Sequence, residues 1–270
     1  LLTVHDLSFV RVPDTASPSL KAYLDAVVPR SVAKANHVLA DSQATKDDLI
    51  AFYKTPSDKV TVLLSGVNEQ FKPVTDKTIL QSVRDKYHIP DKPYIFSVGT
   101  VQPRKNYSRV IRSLANLRQS GLDMHYAIAG GKGWLEDEMY ETIRETNMQD
   151  YVHLLGFVDD EDLPSLYSNS ECLVITSLYE GFGLPILEAM ACGVPVVTSN
   201  LSSLPEVAGD ATLLVDPLDT EAITNSLHSL LTDVNLHNQL IEAGFQQVAN
   251  FTWEKSAQHL KSIYDMLLNT

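Results

Sequence analysis

Cysteine is scarce, with only two in 270 residues: Cys172 opens an apolar run and Cys192 follows a helical pattern. Their separation matches no metal-ligand spacing, so packed thiols are expected rather than a disulfide framework. No uninterrupted apolar run reaches the roughly 20 residues of a membrane-spanning helix, and the first residues lack a basic start followed by a cleavage site. Basic charge is also in short supply: 21 Lys and Arg against 34 Asp and Glu leave a formal net charge of −13. That balance opposes nonspecific nucleic-acid binding and a polybasic grip on anionic lipid. The expectation is a cytoplasmic protein with no nucleic-acid partner and at most peripheral membrane contact.

Familiar glycine and metal fingerprints are missing too. Gly130-Gly131-Lys132-Gly133 lacks the spacing of a dinucleotide or P-loop motif and reads as a turn that could edge a cleft. Asp159-Asp160-Glu161-Asp162 is explained by acidic residues opening a helix, so no essential metal is expected.

What the chain does have is 44% hydrophobic residues, enough to bury a large core in one large domain or two ordinary ones. Leu1 to Val4 reads as the middle of a strand leading into His5-Asp6-Leu7, with no initiator Met before it, as expected of a fragment. Ser19 to Ala35 carries Leu20, Leu24, Val27 and Val28 on one helical side, which should pack on a sheet. A short strand at His37 to Ala40 precedes a helix capped at Ser42, with Leu49, Ile50 and Phe52 expected inward. Lys59 to Leu64 reads as a strand, and the polar, proline-bearing segment Asn68 to Lys77 as a domain boundary.

Beyond that boundary helices and strands alternate. Strands are expected at Tyr94 to Val98, His125 to Ala129, Val152 to Leu155, Cys172 to Ile175 and Thr212 to Val215. Helices are expected at Thr78 to Tyr87, Tyr107 to Arg118, Leu135 to Thr146, Glu161 to Tyr167, Glu221 to Leu231 and Asn235 to Val248. Repeated βα units argue for a parallel sheet. Trp253 to Leu268 closes the chain with a helical apolar stripe at 253, 257, 260, 263, 264 and 267.

The chain is organised around Leu178 to Ser199. The strand ending near Ile175 runs through Gly181 and Gly183 into a helix expected to start near Leu184, where Pro185 suits the first turn. Such a start presents free N–H groups and the positive end of the dipole, a receptor for phosphate. Glu180 and Glu188 flank it, and an ionised carboxylate is acceptor-only, so ribose or sugar hydroxyls are its natural partners there. Taken singly, Glu188 also fits a dipole role and Glu180 a solvated loop. A second strand end, Gly99-Thr100-Val101-Gln102-Pro103-Arg104-Lys105-Asn106, carries two adjacent cations at a helix start. They oppose the dipole unless an anion is present, and in a doubly wound sheet such loops converge on one crevice.

Glu180-Gly-Phe-Gly-Leu-Pro-Ile-Leu-Glu188-Ala-Met-Ala, two glutamates separated by seven residues, resembles the signature of glycosyltransferase family 4, and Gly99 to Asn106 resembles that family's glycine, arginine, lysine, asparagine motif. The resemblance runs from His5-Asp6-Leu7 to Phe251-Thr252-Trp253-Glu254, with Ser65 and Asn68 departing from the commoner Asn and Asp. It implies an α/β protein of the GT-B fold, two Rossmann-like doubly wound domains facing a cleft, the first incomplete. Residues 1–68 would be the remainder of the acceptor-side domain, 69–251 the nucleotide-sugar domain, and 252–270 a helix crossing back to the first.

The implied activity is retaining transfer of a sugar from a UDP- or GDP-linked donor to a sugar or lipid-linked glycan acceptor, without metal or cofactor, in polysaccharide or glycoconjugate synthesis. A nucleotide-sugar epimerase on the same fold, or a nucleotide-binding fragment without turnover, is the alternative. By the same resemblance Arg104 and Lys105 would bind the diphosphate, Glu180 the donor sugar and Glu188 the ribose hydroxyls. Gly181, Phe182, Gly183 and Leu184 would offer backbone amides, Gly99 and Thr100 would belong to the donor loop, and Gly156, Phe157 and Val158 would border the base. His5, at a strand end, would sit beside the sugar.

Overall fold

The computed structural model describes residues 1–269. The first elements are β1 (Leu2–Val4), α1 (Ser8–Arg11), α2 (Pro18–Lys34), β2 (Val38–Ala40), α3 (Gln43–Tyr53) and β3 (Val60–Val62). Then follow α4 (Lys77–Lys86), β4 (Tyr94–Val98), α5 (Tyr107–Gln119), β5 (His125–Ala129), α6 (Asp137–Glu145), β6 (Val152–Gly156), α7 (Leu163–Ser168) and β7 (Cys172–Ile175). The rest is α8 (Leu184–Ala191), β8 (Val196–Ser199), α9 (Leu204–Ala208), β9 (Leu213–Val215), α10 (Thr220–Thr232), α11 (Val234–Val248) and α12 (Trp253–Leu268).

Two parallel sheets result, a three-stranded one in the order β1-β2-β3 and a six-stranded one in the order β6-β5-β4-β7-β8-β9. Strands such as Cys172–Ile175, buried at every position, are what a parallel sheet covered on both faces requires. In the larger sheet Phe96, Leu173 and Ile175 point into one core with Leu187 and Met190 of α8. Ile95, Cys172 and Val174 point into another with Ile111 and Leu114 of α5 and Leu227 of α10. Strand order reverses between β4 and β7, which places the loops leaving these two strands at the switch point where doubly wound sheets bind ligands.

The small sheet corrects two expectations. Phe52 is exposed, and the Arg11 guanidinium lies 4.8 Å from its ring centre, while Asp48 takes a buried place on α3 beside Leu49. On α2 only Val32 is fully buried; Leu24 and Val28 pack partly, and Leu20 is exposed. The reason is size: a helix of 17 residues extends about 25 Å, whereas each strand of the small sheet has three residues and spans only about 10 Å. The stripe on α12 is likewise buried only at Ile263. Elsewhere helix starts shift by a residue or two; α7 begins at Leu163, with Pro164 in its first turn, rather than at Glu161.

Both cysteines are buried free thiols. Among the described residues no helix is long and apolar enough to cross a membrane.

Candidate functional site

The loop after β4 is built to turn back on itself. Gly99 takes a φ of 146°, and Lys105 folds over it so closely that a Cβ there would meet the Lys105 Cε at 2.8 Å. Asn106, left-handed at φ 61° and buried, donates from its side-chain amide to the carbonyls of Thr176 (2.9 Å) and Pro217 (2.8 Å). Asn106 therefore pins this loop to the end of β7 and fixes where Arg104 and Lys105 stand.

The loop after β7 meets them there. Arg104 Nη1 donates to Glu180 Oε2 at 2.7 Å and to the Tyr179 carbonyl at 2.6 Å, and Lys105 Nζ donates to Glu180 Oε1 at 2.7 Å. Burial pushes the Glu180 carboxyl up, but Lys105 and Arg104 outweigh it and hold its pKa at about 2. Ser202 Oγ accepts the Glu180 N–H at 2.9 Å, and Ser203 Oγ donates to the Glu180 carbonyl at 2.9 Å, so the backbone of this residue is held as well.

Helix α8 starts at Leu184, with Gly183 as its cap at φ 122° and Pro185 in its first turn. Lys105, Glu180, Phe182, Gly183 and Leu184 line one cavity of about 160 Å³ at this start. Glu188, one turn on and half-buried, accepts from the buried Tyr167 hydroxyl at 2.7 Å; burial raises its pKa, and the Tyr167 bond works against that rise.

The small sheet reaches the same loop. Gly181 lies so close to the His5 carbonyl that a Cβ would stand 2.3 Å from that oxygen. The His5 ring, 79% exposed at the end of β1, pairs through Nδ1 with Asp41 Oδ2 at 2.7 Å. Burial raises the Asp41 carboxyl, and His5 partly offsets it.

The three residues expected to border a base divide: Gly156 ends β6 at φ 71°, Phe157 is 79% exposed, and the Val158 side chain belongs to the core. Gly130 and Gly133 pack on the backbone of Gly99 and Val101, each so near that a Cβ would stand 2.0 Å from a carbonyl oxygen. Thr100 lies between them. Trp134, in the same loop, donates to the Thr15 carbonyl at 2.7 Å. Asp159 and Asp162 are engaged by Lys86, and Asp162 also by the Tyr87 hydroxyl.

Asp41, Asp48, Tyr167 and Tyr179 escaped the sequence reading as partners of the site, and Asn106 entered it only as the last residue of the loop motif after Gly99. Asn106 alone carried a usable signal, its place directly after the two cations.

Residues 81–247 match the family described as Glycosyl transferases group 1. O-antigen chain mannosyltransferase B of Escherichia coli is 32% identical over 266 residues, covering 98% of this chain and 70% of that protein. Serotype-specific mannosyltransferase WbdA of Escherichia coli is 32% identical over 230 residues, but this chain covers only 28% of its length. Among solved structures, sucrose-phosphate synthase from Thermosynechococcus elongatus superposes with a TM-score of 0.82 at 26% identity, covering 99% of this chain and 68% of that one.

Proposed function

The chain belongs to the glycosyl transferases group 1 family, glycosyltransferase family 4, whose GT-B homologues match most of its length, and from that premise we propose that it transfers a sugar with retention from a nucleoside-diphosphate sugar to an acceptor hydroxyl. The donor is UDP- or GDP-linked, the acceptor is a sugar or lipid-linked glycan, and the setting is polysaccharide synthesis in the cytoplasm. The mannosyl activity in the names of two relatives favours a hexosyl donor.

The observation that carries this reading is the meeting of Arg104, Lys105 and Glu180 at the start of α8, supplied by the loops of two adjacent central strands. Two cations and a helix start form an anion receptor. Arg104, Lys105 and the backbone amides of Gly181 to Leu184 take the diphosphate, Glu188 the ribose hydroxyls, and Glu180 and His5 the donor sugar. Gly99, Thr100, Gly156, Phe157 and the Val158 backbone border the nucleotide.

In transfer, the bond from the anomeric carbon to the diphosphate oxygen breaks and a bond to the acceptor oxygen forms on the same face. The acceptor proton passes to the departing phosphate oxygen, and no side chain acts as nucleophile. Negative charge grows on the diphosphate, where each well-placed donor contributes about 2.7 to 4 kcal/mol.

Residues 1–68 form the acceptor-side domain present here, 69–251 the donor domain, and 252–270 the helix returning to the first. The start of α12 supports this return: Trp253 Nε1 donates to Asn68 Oδ1 at 2.7 Å, and Val67 N–H to the Phe251 carbonyl at 3.1 Å.

A thermal-shift titration with UDP, GDP and ADP tests the reading, since ligand at about 100 times its dissociation constant stabilises by roughly 2.7 kcal/mol. A shift with one nucleotide that disappears in Glu188→Gln supports it; no shift with any of them, in cooperatively melting protein, refutes it.

A further inference from the structure

We propose that Glu180 is a built-in competitor for the diphosphate site and thereby sets a preference for intact sugar nucleotide over the nucleoside diphosphate product; this deepens the donor-site reading above and rests on it.

The argument begins with charge. In the free chain one carboxylate occupies both cations, each oxygen 2.7 Å from a different one, with side chains only 12% exposed for Glu180 and 14% for Arg104 and Lys105. The carboxyl, held at about 2, stays ionised throughout the neutral range. Charges this sheltered are costly when unpaired. A diphosphate that takes Arg104 and Lys105 must therefore turn the carboxylate away or face it as a like charge in a sheltered site.

The second step is what the displaced carboxylate can do. It accepts hydrogen bonds and donates none, so it needs donors nearby. An intact sugar nucleotide brings a sugar, bonded to the diphosphate through its anomeric carbon, whose ring hydroxyls are donors, whereas the product carries no hydroxyl at that end. Glu180 is satisfied in the first complex and stranded in the second. Product then binds more weakly relative to donor, which favours its release after transfer.

The third step is that the side chain can turn without the loop. Ser202 and Ser203 hold the backbone of Glu180 at 2.9 Å each, and the neighbouring Tyr179 hydroxyl is tied to Asp48 at 2.7 Å. The loop is fixed independently of the carboxylate, leaving the side-chain torsions as the moving part.

Calorimetric titration of the full chain with UDP, GDP, UDP-glucose and GDP-mannose, as wild type and as Glu180→Gln, decides the matter. Glu180→Gln is expected to bind the preferred nucleoside diphosphate at least about tenfold more tightly, with a smaller gain for the sugar nucleotide, so that the donor-over-product ratio falls. Glu180→Asp, which keeps the charge on a shorter arm, provides a second variant should the amide fail to fold; it is expected to tighten product binding less than the amide does. Unchanged or weaker product binding in a folded variant overturns the proposal. If neither wild type nor variants bind UDP or GDP while melting cooperatively, the donor-site reading itself fails and the competitor falls with it.

Discussion

The Tyr179 hydroxyl donates a 2.7 Å hydrogen bond to Asp48 Oδ2, joining the loop after β7 of the large sheet to α3 beside the small one. Arg11 holds the other oxygen of the same buried carboxylate, through Nε at 2.8 Å and through Nη2. Because Tyr179 immediately precedes Glu180 and its carbonyl accepts from Arg104, this contact links the placement of the ionic cluster to the small sheet.

Tyr179→Phe is therefore expected to destabilise the chain by about 1.5 to 3 kcal/mol, the range for a hydrogen bond to a charged group. Urea unfolding measures it. Combined with Asp48→Asn, the two losses should fall short of additivity by about 0.5 to 3 kcal/mol, because both remove one interaction. Full additivity would show that the hydroxyl and carboxylate act separately.

Glu180 should leave a signature in acid. Its folded pKa, about 2, lies below the ordinary 4.5, so the stability it contributes is fully present above 4.5 and is lost as pH falls toward 2. Stability curves of wild type and Glu180→Gln should converge through that window on acidification. Parallel curves would contradict the depressed pKa.

Removing Arg104 should cost both turnover and stability, since it leaves the sheltered Glu180 carboxylate with one cation fewer. Arg104→Ala is expected to lower turnover of the sugar nucleotide by about 10² to 10³ if it stabilises the departing diphosphate, with the circular dichroism of the folded chain unchanged and its melting temperature lowered. Loss confined to KM would mean that it binds donor and transition state equally.

Gly181→Ala tests the contact between the sheets. A Cβ there would stand 2.3 Å from the backbone oxygen of His5, so either the loop or the end of β1 must move. Weaker nucleoside-diphosphate binding and a lower melting temperature are expected. A variant indistinguishable from wild type in both would show that the approach is not required.

The strand end, turn and helix start of the candidate site were legible because their signals are local. A β-branched strand, two glycines, a proline and flanking glutamates specify a strand, turn and helix start within about a dozen residues, and α8 begins at the expected Leu184. The cations after Gly99 were legible for the same reason. The burial of α2 and α12 was misjudged because periodicity marks an apolar face without stating how much surface is available to cover it. Asp48 is buried where Phe52 is not because a carboxylate with Arg11 and Tyr179 as partners can be buried, and both partners lie far away in sequence.

The sequence by itself determined the βα alternation, the parallel sheet, the helix start at Leu184 and the chemical types gathered around it. Only the tertiary structure decided that Glu180 spans Arg104 and Lys105, that Asn106 pins one loop to another, and that Asp41 and Asp48 stand beside His5 and Tyr179. Propensity and capping act over a few bonds, whereas a hydrogen bond between residues 75 or 131 positions apart exists only after the sheets bring their loops together.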